Sequence, residues 1–460
     1  MTKRYITTSI AYVNAPPHIG HLLELLAADV LKRHYQSLGD VVFFLTGTDE
    51  HGIKISQAAT AAGKEPANYV KAVSDQFEQL GRDFNVDFDY FIRTTDPEHQ
   101  QFVQAKWQQL ESNGFLKKKK YSGLYCTGCE AFKTEGEIEG NKCSIHEKEL
   151  ERVEEENWFL TGITKHKSQI TNWINQAVFP ETRRQEVINV LESGAYDEVS
   201  VSRSKDRYGW GVPVPGDNNQ VMYVWIDALF NYISALKINN RVDLWPADIQ
   251  IIGKDILKFH ALIWPALLLA CDYELPKKLL VHGFINVDGK KMSKSLGNVI
   301  APQQLLKRYG VEATRYLLFR GLSFDDDSNF TWTDFDRLYN GELANGLGNL
   351  VARCIGIGKK LEYFKSPEFS GADVGAGDFE FKQILAVANG LINQADGIIT
   401  AEKLWENPTT NLEKFNEAVH CLLKAVNQLE PFMPVTAIEI RRQLTKLDSK
   451  PLFPRLGGEN

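Results

Sequence analysis

Two histidines and two lysines, far apart in the chain, are the residue types that can handle a polyphosphate. His18 and His21 stand at i and i+3 in His18-Ile19-Gly20-His21, ahead of an apolar helical run. That spacing puts both rings on one face of a first helical turn. Unpaired backbone N–H groups and the positive end of the helix dipole attract an anion there. Gly20, without a Cβ, lets a ligand lie against the backbone. Lys291-Met292-Ser293-Lys294-Ser295, on a turn flanked by Gly289 and Gly297, offers ammonium groups and hydroxyls to phosphate oxygens. Each motif alone also has a plainer reading, as a helix start without chemistry or as a solvated basic turn. Together and in this order they point to one phosphate site. A separate cluster, Cys126-x-x-Cys129 followed by Cys143-x-x-His146, has the ligand types and spacing of a tetrahedral zinc site. Buried thiols beside a surface histidine are the alternative. Three thiolates and one imidazole fill the coordination sphere, which favours a structural over a catalytic metal. Cys271, Cys354 and Cys421 fall in helical stretches and read as core.

These residues need elements to position them. With 460 residues the chain is too long for one core, and two or three domains are expected. From residue 1 to about 114 strands alternate with helices: Tyr5 to Ile10, the apolar run Val41 to Thr46, and Tyr90 to Arg93 read as strands. A helix opens at His18 and stops at Gly39, and others follow over Ile53–Ala62, Ala67–Phe84 and His99–Asn113. This is the grammar of a doubly wound, Rossmann-like α/β sheet. Residues 115–215, with the basic run Lys117–Lys120, the Cys/His cluster and an acidic stretch, read as an insertion. The α/β pattern resumes over 216–300 with Met222–Ile226, Gln250–Ile252, a helix Ile256–Cys271 and Leu279–Phe284. Residues 301–340 form a link, and 341–460 read as a helical bundle with apolar residues at helical spacing. Net charge is −7, which argues against a general nucleic-acid coat while leaving room for a local basic surface. The cysteine usage, the lack of a signal-peptide pattern and the lack of a long apolar run point to a cytoplasmic setting.

The two phosphate motifs resemble the signature motifs of class I aminoacyl-tRNA synthetases. The finer likeness is to the methionine branch of that class. Four more stretches carry it, in order: Tyr12-Val13-Asn14-Ala15-Pro16-Pro17; Leu45-Thr46-Gly47-Thr48-Asp49-Glu50-His51-Gly52; Tyr223-Val224-Trp225-Ile226-Asp227-Ala228; and Ile252-Gly253-Lys254-Asp255-Ile256-Leu257-Lys258-Phe259-His260. The inserted single knuckle is similar to the one-metal bacterial form.

The resemblance implies an enzyme that activates methionine with ATP and transfers it to the terminal ribose of tRNA. His18, Gly20, His21, Lys254, Lys291, Ser293 and Lys294 would bind ATP, with His18, His21, Lys291 and Lys294 catalytic. Ile10, Tyr12, Trp225, Ala228, Leu229, Tyr232, Ile256 and His260 would wall a methionine pocket, and Asp49 would take the substrate ammonium. Apolar and aromatic walls suit a thioether, which hydrogen-bonds weakly. Asn349, Arg353 and Trp405 would read the anticodon; bundle core is the plainer reading for Trp405. One structural Zn²⁺ and Mg²⁺ with ATP are implied. Ser9 and Ala11 stand where many relatives have Pro and a second aromatic. The insertion is too short for a full editing domain, which disfavours the leucine, valine and isoleucine enzymes. A catalytically dead tRNA-binding paralogue would not need His18, His21, Lys291 and Lys294. A monomer is expected, because little chain follows the bundle.

Overall fold

The computed structural model describes the whole chain except residues 127–130, 134, 146, 294–295, 362–378, 407–408, 410 and 458–460. β-Branched and aromatic runs, mostly from the first and third quarters of the chain, build one parallel sheet. Its strands are β1 (Lys3–Thr8), β2 (Ala11–Tyr12), β3 (Val41–Asp49), β4 (Tyr90–Arg93), β5 (Val178–Phe179), β6 (Ile249–Gly253) and β7 (Leu279–His282). They run in the order β5-β7-β6-β1-β3-β4, with the short β2 also on β3. Every pairing is parallel, and β3 is buried from Val42 to Asp49, as expected of a strand covered on both faces. Helix α1 (Ile19–Ser37) packs on this sheet, with Leu22, Leu23, Leu26 and Ala27 at most 1% exposed.

Several expected elements shift. Met222–Ile226 is not a strand of the large sheet. Strand Asp217–Met222 pairs antiparallel in a separate three-stranded sheet, and a helix starts at Val224. The expected helix Ile256–Cys271 is a tight turn, then a π-helical stretch Phe259–Ile263, then an α-helix Trp264–Ala270. The last helix, Pro434–Lys446, starts at Pro434, at the first-turn position where its missing N–H costs nothing.

The insertion centres on two long antiparallel strands, Leu116–Cys126 and Glu151–Thr161. The Lys117–Lys120 run lies on the first of these, and Lys118 pairs with Asp217 at 2.7 Å and with Glu156 at 3.4 Å, while Lys119 pairs with Glu198. Those partners make Lys118 and Lys119 part of a paired charged face. The same segment also returns β5 to the edge of the large sheet, a strand that two residues are too few to announce.

The sheet passes into the bundle through a second small sheet. Strand β8 (Ile285–Val287) pairs antiparallel with β9 (Lys290–Lys291) and parallel with β10 (Ser328–Phe330). Helices Pro302–Gly321, Asn349–Gly358, Phe381–Ala401, Leu412–Leu429 and Pro434–Lys446 then share one continuous apolar core with α1. Arg315, with no exposed surface, is tied to that joint at four points. It donates to Asp29 of α1 at 2.5 Å, to the Phe84 carbonyl at 3.1 Å, and to the carbonyls of Phe432 and Pro431 at 2.7 and 3.1 Å.

Candidate active site

His18 is the N-cap of α1, and the two histidines close the helix start reciprocally. The Gly20 N–H donates to His18 Nδ1, and the His18 N–H donates to His21 Nδ1, both at 3.1 Å. An accepting Nδ1 carries no proton, so both neutral rings hold theirs on Nε2. The rings stack 3.8 Å apart, and the edge of Phe77 meets His21. Burial, then the neighbouring His18 and His282, push His21 well below the usual histidine range. A Cβ on residue 20 would come within 3.0 Å of the His18 ring, so Gly20 leaves room for this stack as well as for a ligand.

Most residues expected to wall a methionine pocket fall in one apolar cluster, with Ile10 just past the end of β1 and Ile256 just past the end of β6. Ile10, Trp225 and Ile256 are half-buried edges of the cluster that contains Leu229 and Tyr232. Ala228 is 3% exposed on the same short helix as Trp225. Trp225 stacks on Phe259 at 3.9 Å and meets His260 edge-on at 6.0 Å. His260 donates from Nδ1 to the Ile256 carbonyl at 3.1 Å, which leaves Nε2 to accept from the Tyr232 hydroxyl at 2.8 Å. Burial lowers His260 to about 4, so the ring is neutral at pH 7. Tyr12 and Asp49 face each other in register across β2 and β3, and Asp49 is 6% exposed. Tyr12 joins a different apolar group, with Val13, Ile55 and Trp210, and not the cluster of the other expected pocket residues.

Lys291 is exposed on β9, its ammonium 5.6 Å from the centre of the Phe284 ring. Lys254 lies 4.2 Å from the same ring and is held by both oxygens of Asp327, at 2.6 and 2.7 Å. The Ser293 N–H donates to Asn298. Lys294 lies outside the described residues, as do Cys129 and His146. The other two zinc-type residues, Cys126 and Cys143, are fully buried in one small cluster with Leu150. A tight turn follows Cys143, closed by Glu147 N–H to the Cys143 carbonyl at 2.8 Å and Cys143 N–H to the Lys148 carbonyl at 3.0 Å. Two buried thiols brought together beside such a knuckle fit a thiolate-bound metal.

At the bundle end, Asn349 and Arg353 lie one turn apart on helix Asn349–Gly358. The Arg353 guanidinium sits 5.5 Å from the Trp405 ring centre and is oriented by Asp396 and by Thr400 at 3.1 Å. Trp405 is 39% exposed, so it is not bundle core.

Sequence reasoning missed the residues behind these groups. Glu24, one turn past His21, accepts from both the N–H and hydroxyl of Ser9 at 2.6 Å and from His282 Nε2 at 3.1 Å. Ser9 therefore anchors the end of β1, which accounts for a small polar residue there. Burial opposes a charge on His282, but Glu24 raises it above the usual range. Asp227, fully buried, meets His51 at 2.5 Å and His99 at 2.9 Å; burial would raise it, yet the two imidazoles hold it below the carboxylate range. The signal for both networks was a charged residue inside an apolar run, which periodicity alone does not pair with a partner.

The family model described as tRNA synthetases class I (M) matches residues 4–149 and 135–355. The chain belongs to the class I aminoacyl-tRNA synthetases of the methionine type. It is 36% identical to the methionine–tRNA ligase of Rickettsia bellii over 99% of this chain and 95% of that one. Identity to the Thermotoga maritima ligase is 36%, over 98% and 76% of the two chains. With the chloroplastic and mitochondrial ligase of Arabidopsis thaliana it is 40%, and the match spans 77% of this chain but 59% of that relative. A solved structure of Mycobacterium tuberculosis methionyl-tRNA synthetase in complex with methionyl-adenylate superposes with a TM-score of 0.85 at 32% identity, covering 100% and 99% of the two chains. The family is one of ATP-dependent ligases that join methionine to tRNA, and the fold is theirs. No helix among the described residues is long and apolar enough to cross a membrane.

Proposed function

We propose that the chain forms methionyl-adenylate from methionine and ATP and passes the methionyl group to the 3′-terminal ribose of tRNA(Met). The observation that carries this reading is the pair of Nε2-protonated histidines stacked on the first turn of α1. Two neutral N–H donors beside a helix N-terminus suit phosphate oxygens whose charge changes during reaction. The methionine carboxylate attacks the α-phosphate, and pyrophosphate leaves. His18 and His21 donate to phosphate oxygens, and Lys291 and Lys294 neutralise the leaving pyrophosphate. Mg²⁺ accompanies ATP and supplies charge neutralisation of the phosphates. Ser293 and Gly20 offer further contacts, and Lys254 adds a cation beside Lys291.

Methionine lies with its thioether among Ile10, Tyr12, Trp225, Ala228, Leu229, Ile256 and His260. The neutral imidazole of His260, fixed by Tyr232, adds no charge that would favour a polar side chain. Asp49 takes the ammonium as a charge-assisted pair. Asn349, Arg353 and Trp405 form the anticodon surface, where an exposed indole braced by a guanidinium offers a stacking platform. Cys126, Cys129, Cys143 and His146 hold one structural Zn²⁺ that supports the insertion. Residues 1–114 and 216–300 then form the catalytic domain, 115–215 the insertion, 301–340 the link and 341–460 the anticodon-binding domain, in a cytoplasmic monomer.

The test is amino-acid-dependent exchange of pyrophosphate into ATP. Exchange with methionine alone is expected, and exchange with another amino acid instead would sink the specificity. No exchange from folded protein would favour a tRNA-binding module. Metal analysis is expected to find one zinc per chain, and sedimentation a monomer.

A further inference from the structure

Asp327 has no part in the proposed reaction, yet it sits where the two lysine-bearing segments meet. Its Oδ1 accepts the backbone N–H of Phe284 at 2.9 Å as well as the Lys254 ammonium at 2.6 Å. The Phe284 ring is shared: Lys254 lies 4.2 Å and Lys291 5.6 Å from its centre. Two bare ammonium groups at one ring would repel each other. The Asp327 carboxylate offsets part of the charge of the nearer one, which leaves the negative face of the ring to attract Lys291 as well. Among the described residues, this ring is the contact that the Lys291 ammonium makes.

The backbone makes the arrangement stiff on one side only. Gly283 N–H donates to the Phe324 carbonyl and Ser328 N–H to the Phe284 carbonyl, each at 2.9 Å. A Cβ on Gly283 would fall 2.2 Å from the Asp326 carbonyl, so only glycine permits this approach. Phe284 and Asp327 are thus locked together at the starts of β8 and β10. Lys291 pairs opposite Asn286 on the two-residue strand β9, just before the lysine-rich turn. The ring is fixed, and the lysine strand is the light part that has to be placed.

We infer that Asp327 is a positioning residue for adenylate formation, acting through Lys254 and Phe284 to seat Lys291 for the leaving pyrophosphate. This rests on the proposed reaction. In that scheme Asp327 touches neither ATP nor methionine.

The experiment is methionine-dependent pyrophosphate exchange on the full chain, with KM and kcat measured separately for ATP and methionine. Asp327→Asn is expected to lower kcat/KM for ATP about tenfold with the methionine KM unchanged, and Asp327→Glu to recover most of it. Phe284→Leu is expected to fall in the same direction and Phe284→Tyr to stay near wild type. That pair tests the ring even if Asp327→Asn folds poorly. The double variant Lys254→Met, Asp327→Asn is expected to be no worse than the poorer single variant, because the two act as a unit. Wild-type ATP kinetics in folded Asp327→Asn, fully additive losses, or an equal change in the methionine KM would overturn the inference. No exchange by the wild-type chain would instead overturn the proposed reaction.

Discussion

Two ion pairs fasten the large sheet and its first helix to the C-terminal part of the chain, and they are built in opposite ways. Arg315 and Asp29 are both fully buried, and the guanidinium is held by the Asp29 carboxylate and three backbone carbonyls. The side chains of Lys254 and Asp327 keep 21% and 43% of their surface, beside an exposed two-residue strand. The first joint is a fixed weld between α1 and the bundle. The second is a water-exposed contact beside the lysine strand. Charge pairs of the same type do different jobs because water reaches one and not the other.

Arg315→Met is the largest test of that contrast. It leaves Asp29 buried with only part of its pairing, so a loss of about 3–5 kcal/mol in thermal or urea unfolding is expected. A loss below about 1 kcal/mol would erase the difference between the joints. Acid comes next. His260, held near 4 by burial, has its folded-state affinity for protons depressed, so its contribution is full above about 6.5. It is lost as pH falls toward 4, on the order of 2 kcal/mol by pH 5 in urea unfolding. His21 shifts the same way, and protonating its Nδ1 also breaks the cap of α1, so exchange activity should fall on the acid side. His282 works in the opposite sense: the stability it gains from Glu24 is present below 6.5 and fades as pH rises through its elevated folded value.

Trp405→Ala sharpens the contrast at the exposed end. Stacking a base on an indole is worth roughly 1–3 kcal/mol, so tRNA charging should weaken by a corresponding rise in the KM for tRNA. Pyrophosphate exchange without tRNA should not change. The smallest effect belongs to the wet joint itself. Asp327→Asn should cost less than about 1 kcal/mol of stability, and raising salt should narrow the kinetic gap between it and wild type.

The longer strands of the large sheet, α1 and the bundle helices were legible because each follows a simple apolar pattern. Tyr90–Arg93 and Leu412–Leu429 fall where periodicity places them. His18, His21 and Lys291 were legible because their types and spacing carry their own chemistry. The pairings that stayed hidden depend on long-range closure. Glu24 with His282 and Asp29 with Arg315 are pairings across more than two hundred residues, and nothing local marks either partner. β5 was hidden because two residues show no period, and the π-helical stretch before Trp264 because its widened turn breaks the 3.6-residue repeat.

The weld at Arg315 also sets a distance. It fastens α1, whose first turn carries His18 and His21, to the carbonyls between the last two long helices, next to the bundle that displays Arg353 and Trp405. Within the proposed function, a tRNA gripped at the bundle end therefore meets the adenylate site at a high effective concentration, which a flexible tether of equal length would dilute. In that reading the fold works as a caliper of fixed opening. Within the proposed function, a tRNA whose anticodon and 3′ end are spaced wrongly for that opening is refused on length before any base at the active site is examined.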